Sequence, residues 1–456
     1  MIIHKLWLFT MLKEKNTFII STSIMMIAQT AKLIIGIIIS IIVARYLGPE
    51  NQGIYSYIMI FSTLMVSIIS IGIGPATTYF VAKNEYDIKE ILGNNIIYSI
   101  IISNIAIIIG IILIKYYSKI LFNNIPQKYL YLSLLIIPIQ ILNIYITSII
   151  LGKQKIKTYN YIQVIQSVFL LLFITIAILF KEKTEGIIIA TIFASALTVI
   201  LSFIKTIEIT KGVKFTLNNQ YYKNSIKYGI QAHLSNILAM LNYRIDIFII
   251  NWFLTPVSIG FYTIAVTIVE RLWMISQAAS TVLFPKVAAE NNKEKLKKFT
   301  PKVVKNVTFI TTIAAILIAL FSYWLIIILY SKTYISSVAV LRALLVGIVA
   351  LSADRIMAND ISGRGYPMIN TYRGIITVII NIALNILWIP KYGIVGAAWA
   401  SSVSYTASFL TALYFYCRLS GNRWQDVVLF QRDDWLEYKY LIINIYKKFL
   451  KNKITN

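Results

Sequence analysis

Twelve stretches of this chain are long and apolar enough to cross a hydrocarbon layer, and their recurrence constrains the fold more than any other feature. A helix needs about 20 predominantly apolar residues to span a bilayer. Segments that qualify fall at approximately 18–44, 54–81, 93–115, 129–151, 160–180, 186–207, 227–254, 261–288, 303–330, 335–361, 368–389 and 394–417. Only 13% of the residues are charged and 58% are hydrophobic, whereas soluble domains carry about a quarter charged residues. A water-solvated fold could not bury that much Ile and Leu. Inside lipid the backbone must satisfy its own hydrogen bonds, so the expected class is all-α integral membrane, with about 12 transmembrane helices.

The charge lies between the spans. The chain carries a formal net charge of +25, which in a soluble protein would suggest nucleic acid. Here the Lys and Arg gather in alternate loops, above all 208–226 and 289–302. That asymmetry marks cytoplasmic loops and places both termini in the cytoplasm of a multi-pass protein, with no nucleic-acid partner expected. The N-terminal Lys5, Lys13 and Lys15 precede an apolar stretch longer than a signal-peptide core and without a small-residue cleavage site, so the first span is expected to be retained. No connecting loop has room for a soluble catalytic domain. The tail, 419–456, mixes charge with Trp424, Trp435, Tyr438, Tyr440 and Phe449, a composition that suits either an interfacial helix or a loose cytoplasmic tail.

An internal repeat orders the spans. Tyr46-Leu47-Gly48-Pro49-Glu50-Asn51-Gln52-Gly53-Ile54-Tyr55 follows the first span, and Phe253-Leu254-Thr255-Pro256-Val257-Ser258-Ile259-Gly260-Phe261-Tyr262 follows the seventh. Leu, Pro, Gly and Tyr recur at a constant offset of 207 residues, as do Ala82 with Ala289 and Asn84 with Asn291. An even number of spans separates the copies, so they are parallel repeats about an axis along the membrane normal. The expected organisation is two pseudo-symmetric six-helix lobes, 1–207 and 227–418, joined by a cytoplasmic linker at 208–226. A generic Pro/Gly turn is the alternative source of the motif.

The segment Ala44-Arg45-Tyr46-Leu47-Gly48-Pro49-Glu50-Asn51-Gln52-Gly53-Ile54-Tyr55 resembles the start of bacterial polysaccharide flippases. These are the Wzx-type exporters of the multidrug/oligosaccharidyl-lipid/polysaccharide (MOP) superfamily. The likeness continues through Ile71-Gly72-Ile73-Gly74-Pro75, Ser362-Gly363-Arg364-Gly365 and Tyr392-Gly393-Ile394-Val395-Gly396-Ala397-Ala398, covering most of 10–418. It implies a MATE/MOP-like fold in a bacterial inner membrane. It also implies translocation of an undecaprenyl-diphosphate-linked oligosaccharide, such as an O-antigen unit, from the cytoplasmic to the periplasmic leaflet. Alternating access driven by an ion gradient (H+ or Na+) would power the step. The related lipid II flippases typically carry more spans, which disfavours that branch.

Ionisable residues within spans cost about 2.5–3.5 kcal/mol each on insertion scales and are functional candidates. Lys32 sits mid-span, and Gln29, Lys32, Gly36 and Ser40 share one helical face. Arg244 and Asp246 lie in the seventh span, Glu270 and Arg271 in the eighth, Arg342 in the tenth. Lys32, Arg271, Arg244, Arg342 and Gln29 are read as a cationic cavity for a diphosphate-sugar headgroup, because guanidinium forks match phosphate oxygens. Interhelical ion pairs that merely tie helices together are the alternative. Asp246, Glu270 and Asp354 are the candidates for binding a coupling ion, and His233 is read as a satisfied core residue. Pro75, Pro138 and Pro285 are expected to kink their helices.

No Gly-x-x-x-x-Gly-Lys-Ser/Thr phosphate loop occurs, nor any assembled Ser-His-Asp or Cys-His nucleophile. With one cysteine, Cys417, and two histidines, His4 and His233, neither a disulfide framework nor a Cys/His metal site is available. Neither a catalytic residue nor a cofactor is expected, and the partners are lipid-linked oligosaccharide and membrane lipid. Two other functions compete: a multidrug exporter of the same superfamily, which would favour acidic sites, and a membrane polysaccharide polymerase or ligase, which would need a large outer loop.

Overall fold

The computed structural model describes residues 2–290 and 292–431, and among them it contains helices and no strand. The tail residues Trp435, Tyr438, Tyr440 and Phe449 and the repeat position Asn291 lie outside the described residues.

Eight helices are individually long and apolar enough to cross a membrane. Two of these are each a pair of spans run together: Ile27–Ile69 turns at Gly48 and Pro367–Ser420 turns at Gly393. Both glycines hold positive φ with extended ψ (70°, 173° and 62°, −145°), a combination essentially closed to residues with a side chain. A further span is broken, Pro256–Glu270 and Trp273–Ser280 meeting at a bend of 40°. The last is the 35-residue helix Asn219–Phe253, which carries Gln231, His233, Asn236, Asn242, Arg244 and Asp246 and is too polar to qualify alone. Together these account for the twelve spans of an all-helical fold.

Two of the three prolines coincide with interruptions of their spans. Pro75 is the third residue of Ile73–Lys83, after a break at Ile71 (φ 48°) and Gly72 (φ 70°). Pro138 is the third residue of Ile136–Gly152. Each interruption falls three to four residues before its proline, where the missing N–H and the ring break the ladder to residue i−4, so both spans are interrupted at the expected prolines. Pro285 alone of the three lies well inside its helix, Trp273–Ala289.

The chain forms two compact units, one running to Thr263 and including Ile327–Tyr334, the other comprising Ile264–Ile326 and the chain from Ile335. In the first unit, Ala76, Phe80, Ile91, Leu92, Ile146, Ile149 and Tyr221 form a buried cluster. Tyr221, from the start of the seventh helix, brings a hydroxyl into this core. That hydroxyl meets Asn95 Oδ1 at 2.9 Å and Thr77 Oγ1 at 3.0 Å, while Asn95 Nδ2 donates to the Tyr145 carbonyl at 3.2 Å. Stacked rings of Tyr79 on Tyr228 and Tyr98 on Tyr222, 4.5 and 4.9 Å between centroids, extend the contact. The basic linker is pinned beside it. Lys214 Nζ donates to Glu90 Oε1 at 2.5 Å, and this hydrogen bond, with the carboxylate's charge, lifts the lysine above its usual pKa.

The repeat motifs meet in the same unit. A Cβ on Gly53 would lie 2.7 Å from the Pro256 carbonyl carbon, and one on Gly260 would lie 2.9 Å from that of Pro49. Thr263 Oγ1 donates to Ser56 Oγ at 3.3 Å, again across an offset of 207 residues. Residue i touching j while the equivalent of j touches the equivalent of i is the signature of a local two-fold relation. Nearby, Arg45 caps the end of the ninth span, Nε donating to the Leu329 carbonyl at 2.8 Å and Nη2 to that of Ile328. A cation suits the exposed carbonyls and negative dipole end of a helix C-terminus. In the second unit the core gathers Leu283, Val304, Ile356, Met357 and Tyr416.

Candidate functional site

Each unit presents a cationic group within its spans, and the two are built differently. In the first unit Lys32 is exposed, halfway along the first span, and its Nζ donates to Gln163 Oε1 of the fifth span at 2.8 Å. Gln163 belongs to a polar face that includes the buried Asn160 and Ser167, at i−3 and i+4. Asn160 Nδ2 is buried without a hydrogen-bond partner. Gln29, one turn before Lys32, is also exposed. An exposed ammonium at that depth is tolerable where it meets protein dipoles and water rather than acyl chains. Ser40, on the same helical face, pairs with Tyr330 OH at 3.1 Å, so the C-terminal end of the stripe is tied to the ninth span.

In the second unit Arg271 occupies the break in the eighth span, where the chain leaves the helix at Glu270 and resumes it at Trp273. Its Nε is buried and has no hydrogen-bond partner. A guanidinium fixed at a helix break, with an unmet donor, is ready to receive an anionic oxygen. From the tenth span, Arg355 lies over the Trp273 ring, 4.3 Å from the centroid, and its Nη1 donates to Gln277 Oε1 at 3.2 Å. A cation, an aromatic face and an amide on one short stretch, with a second cation brought over the ring from the tenth span, are the chemistry that binds phosphate and sugar. Sequence reasoning left Arg355 and Trp273 out of this group, and likewise Gln163 beside Lys32.

The remaining candidates divide. Asp246 is 1% exposed, takes a hydrogen bond from Tyr262 OH, and accepts from the Ile247 N–H at 2.8 Å. Arg244 and Glu270 are partly buried. Arg342 is exposed, with Nε donating to Ser322 Oγ at 2.8 Å, so its anchor is the ninth span and not the break that carries Arg271. Asp354 forms a buried ion pair with Arg373, both under 10% exposed. Ser408 Oγ donates to Asp354 at 3.1 Å, and Arg373 also bonds Asn370 Oδ1 at 2.7 Å and the Ser408 carbonyl at 2.8 Å. Arg373 lies within the eleventh span and was not among the candidates read from the sequence. A second buried carboxylate, Asp360, holds Arg364 and Thr300 Oγ1 (2.6 Å). His233 rests on the backbone of Ser67 and Ile68. Among the described residues no three metal-ligating side chains converge.

Comparison with known proteins agrees with this architecture. Residues 42–339 match the family described as "Polysaccharide biosynthesis protein". A putative O-antigen transporter of Shigella flexneri is 22% identical over 82% of this chain and 92% of its own length. Among solved structures, a lipid II flippase, MurJ, in an inward closed conformation superposes with a TM-score of 0.72 at 16% identity, over 86% of this chain and 87% of that one. An inward-facing multidrug resistance MATE transporter of the MOP superfamily gives 0.67 at 15% identity, over 86% and 94%. At such identities the two structures establish the fold.

Proposed function

Since this chain belongs to the polysaccharide biosynthesis protein family, we propose that it is a flippase for a lipid-linked oligosaccharide, moving an undecaprenyl-diphosphate-linked repeat unit from the cytoplasmic to the outer leaflet. The observation that carries this reading is Arg271, at a break within a span, with a buried Nε that no protein group satisfies. A diphosphate oxygen meets that donor, and Trp273 and Arg355 beside it suit the first sugar and the second phosphate. Lys32, steadied by Gln163, supplies the cation of the first unit; Gln29, Arg244 and Arg342 are lesser members of the set. The similarity to a protein named as an O-antigen transporter supports the glycan part of the reading. Lobes 1–207 and 227–418 would rock about the linker 208–226 to give alternating access, with both termini in the cytoplasm. Asp246, Glu270 and Asp354 are the carboxylates available to couple transport to H+ or Na+.

The test is the location of lipid-linked glycan in cells lacking this protein and complemented with variants. Loss of the protein is expected to strand the glycan on the cytoplasmic leaflet and abolish surface polymer. Arg271→Gln and Lys32→Ala are expected to fail to restore it at normal protein abundance. Full export by both variants would remove these residues from the pathway, and unchanged surface glycan in the deletion strain, with new drug sensitivity, would replace the reading by multidrug export.

A further inference from the structure

The chain does not leave the membrane freely after its last span. Gly421, at φ 70°, ends the helix in a left-handed conformation, its N–H donating to the Cys417 carbonyl at 2.9 Å. That is the ordinary way for a helix to stop and the chain to turn. Asn422 then ties the turn down: Nδ2 donates to the Lys297 carbonyl at 3.0 Å and to Tyr416 OH at 3.2 Å. The short helix Trp424–Val428 follows, fastened by Val427, which is fully buried in the core of the second unit. Phe430 packs edge-on to Phe309 at 5.4 Å. The segment is therefore folded back onto the end of the last span.

This folding encloses a groove of about 570 Å³. One wall is the lipid-facing side of the last span, where Leu410 is 57% and Tyr414 59% exposed; the other carries Trp424, 54% exposed. The rim is cationic. Arg418 and Arg423 both line the groove and are both exposed. The Lys297 ammonium comes within 3.9 Å of where a Gly421 Cβ would stand. Neither arginine is paired: Arg418 has a long contact of 3.5 Å to Tyr414 OH, and no carboxylate among the described residues pairs with Arg418 or Arg423. Asp426, three residues after Arg423, accepts from Gln431 Nε2 at 2.6 Å.

Apolar walls continuous with the lipid-facing surface, a tryptophan at their edge and unpaired guanidinium groups at the rim match one kind of occupant. We propose that this groove binds an anionic phospholipid of the surrounding bilayer, its phosphate between Arg418 and Arg423 and an acyl chain against Leu410 and Tyr414. Basic pockets at helix ends recognise anionic headgroups in this way, and tryptophan anchors at the same level. Two arginines at about fivefold each give roughly a 25-fold preference for phosphatidylglycerol over phosphatidylcholine. The site is separate from the transport cations and independent of the transport reading.

Cys417 lines the same groove and is the chain's sole cysteine, so it reports occupancy. The full chain is placed in nanodiscs of phosphatidylcholine, with or without phosphatidylglycerol, and the alkylation rate of Cys417 by a water-soluble maleimide is measured. Phosphatidylglycerol is expected to slow alkylation several-fold, and Arg418→Gln with Arg423→Gln to bring the ratio of the two rates to one; both positions are exposed, so neither change threatens the fold. Equal rates for the unaltered chain, or slowing that persists in the double variant, would overturn the proposal. So would equal protection by inorganic phosphate in phosphatidylcholine discs, which would make this a free-anion site. Deletion of 432–456 gives the last arm. If that deletion alone exposes Cys417 and abolishes the lipid effect, the tail and not a lipid fills the groove.

Discussion

Replacing Gly53 with alanine tests the contact between the two repeat motifs. The added Cβ would lie 2.7 Å from the Pro256 carbonyl carbon and 2.9 Å from the Gly260 nitrogen. Ordinary contact begins near 3.4 Å, so clearing the carbon alone takes about 0.7 Å (3.4 less 2.7), and the Pro256 carbonyl oxygen, which stands nearer still, makes the facing segment retreat further. Every atom in the way is backbone at the start of a helix, and no side chain can rotate aside. Overpacking of this kind costs about 1–3 kcal/mol. Alanine's better helix propensity returns up to about 1 kcal/mol, so a net loss of ~1–2 kcal/mol remains, and a few degrees in the midpoint of thermal unfolding in detergent. Gly260→Ala meets the reciprocal obstacle and should behave alike. The double variant should lose less than the sum, because segments parted for one methyl have room for the second. Gly74→Ala is the control. It is also a buried helical glycine, but its Cβ would meet only the side-chain ends of Ile144 and Ser148, at 3.0 and 3.1 Å, which can give by a few tenths. If Gly53→Ala and Gly260→Ala unfold with the unaltered chain and with Gly74→Ala, the close approach of the motifs is wrong.

Two further outcomes follow from the buried polar groups. Asp354→Asn strips Arg373 of its counter-charge and should destabilise by about 3–5 kcal/mol, visible as lost folded yield in size-exclusion fluorescence. Adding Arg373→Met should recover much of it, whereas a pair that matters only for ion coupling would leave yield normal in the single variant. Tyr221→Phe removes the hydroxyl shared by Asn95 and Thr77 and should cost about 1–3 kcal/mol in thermal unfolding; an unchanged midpoint would mean that water replaces the hydroxyl.

Span positions were legible because apolar length is a one-dimensional signal, and the offset of 207 residues because the copies kept Leu, Pro, Gly and Tyr. The break at Arg271 was not. It falls in Ile268-Val269-Glu270-Arg271-Leu272-Trp273, with neither glycine nor proline to mark it, unlike the interruptions of the second and fourth spans, which fall three to four residues before Pro75 and Pro138. Packing sets that break, and helix propensity is a weak prior against tertiary context. Lys32 meeting Gln163 across 131 residues was equally closed to sequence, because no local rule says which span lies beside the first.

The short-range pairs, by contrast, were written in the sequence in a form that helix-by-helix reading overlooks. Consecutive spans joined by a tight turn run antiparallel, so residues equally far from the turn lie at the same depth. Asp246 and Tyr262 each stand eight residues from Leu254, and they bond. Asp354 stands nine before Gly363 and Arg373 nine after Arg364, and they pair. Ser322 and Arg342 reflect through Lys332, and Thr77 and Asn95 through Tyr86. Reflection through the turn thus finds the partner in each of these four pairs. Asp360 meets Arg364 within a single turn and Thr300 far away in sequence, so it obeys no such rule. By the same reasoning Arg271, reflected through the loop near Glu290, falls on Phe309, an aromatic ring and not an acid. A span-embedded arginine with no carboxylate at its mirror position is one whose counter-charge must be sought beyond its own hairpin, and an anionic substrate is one place to look.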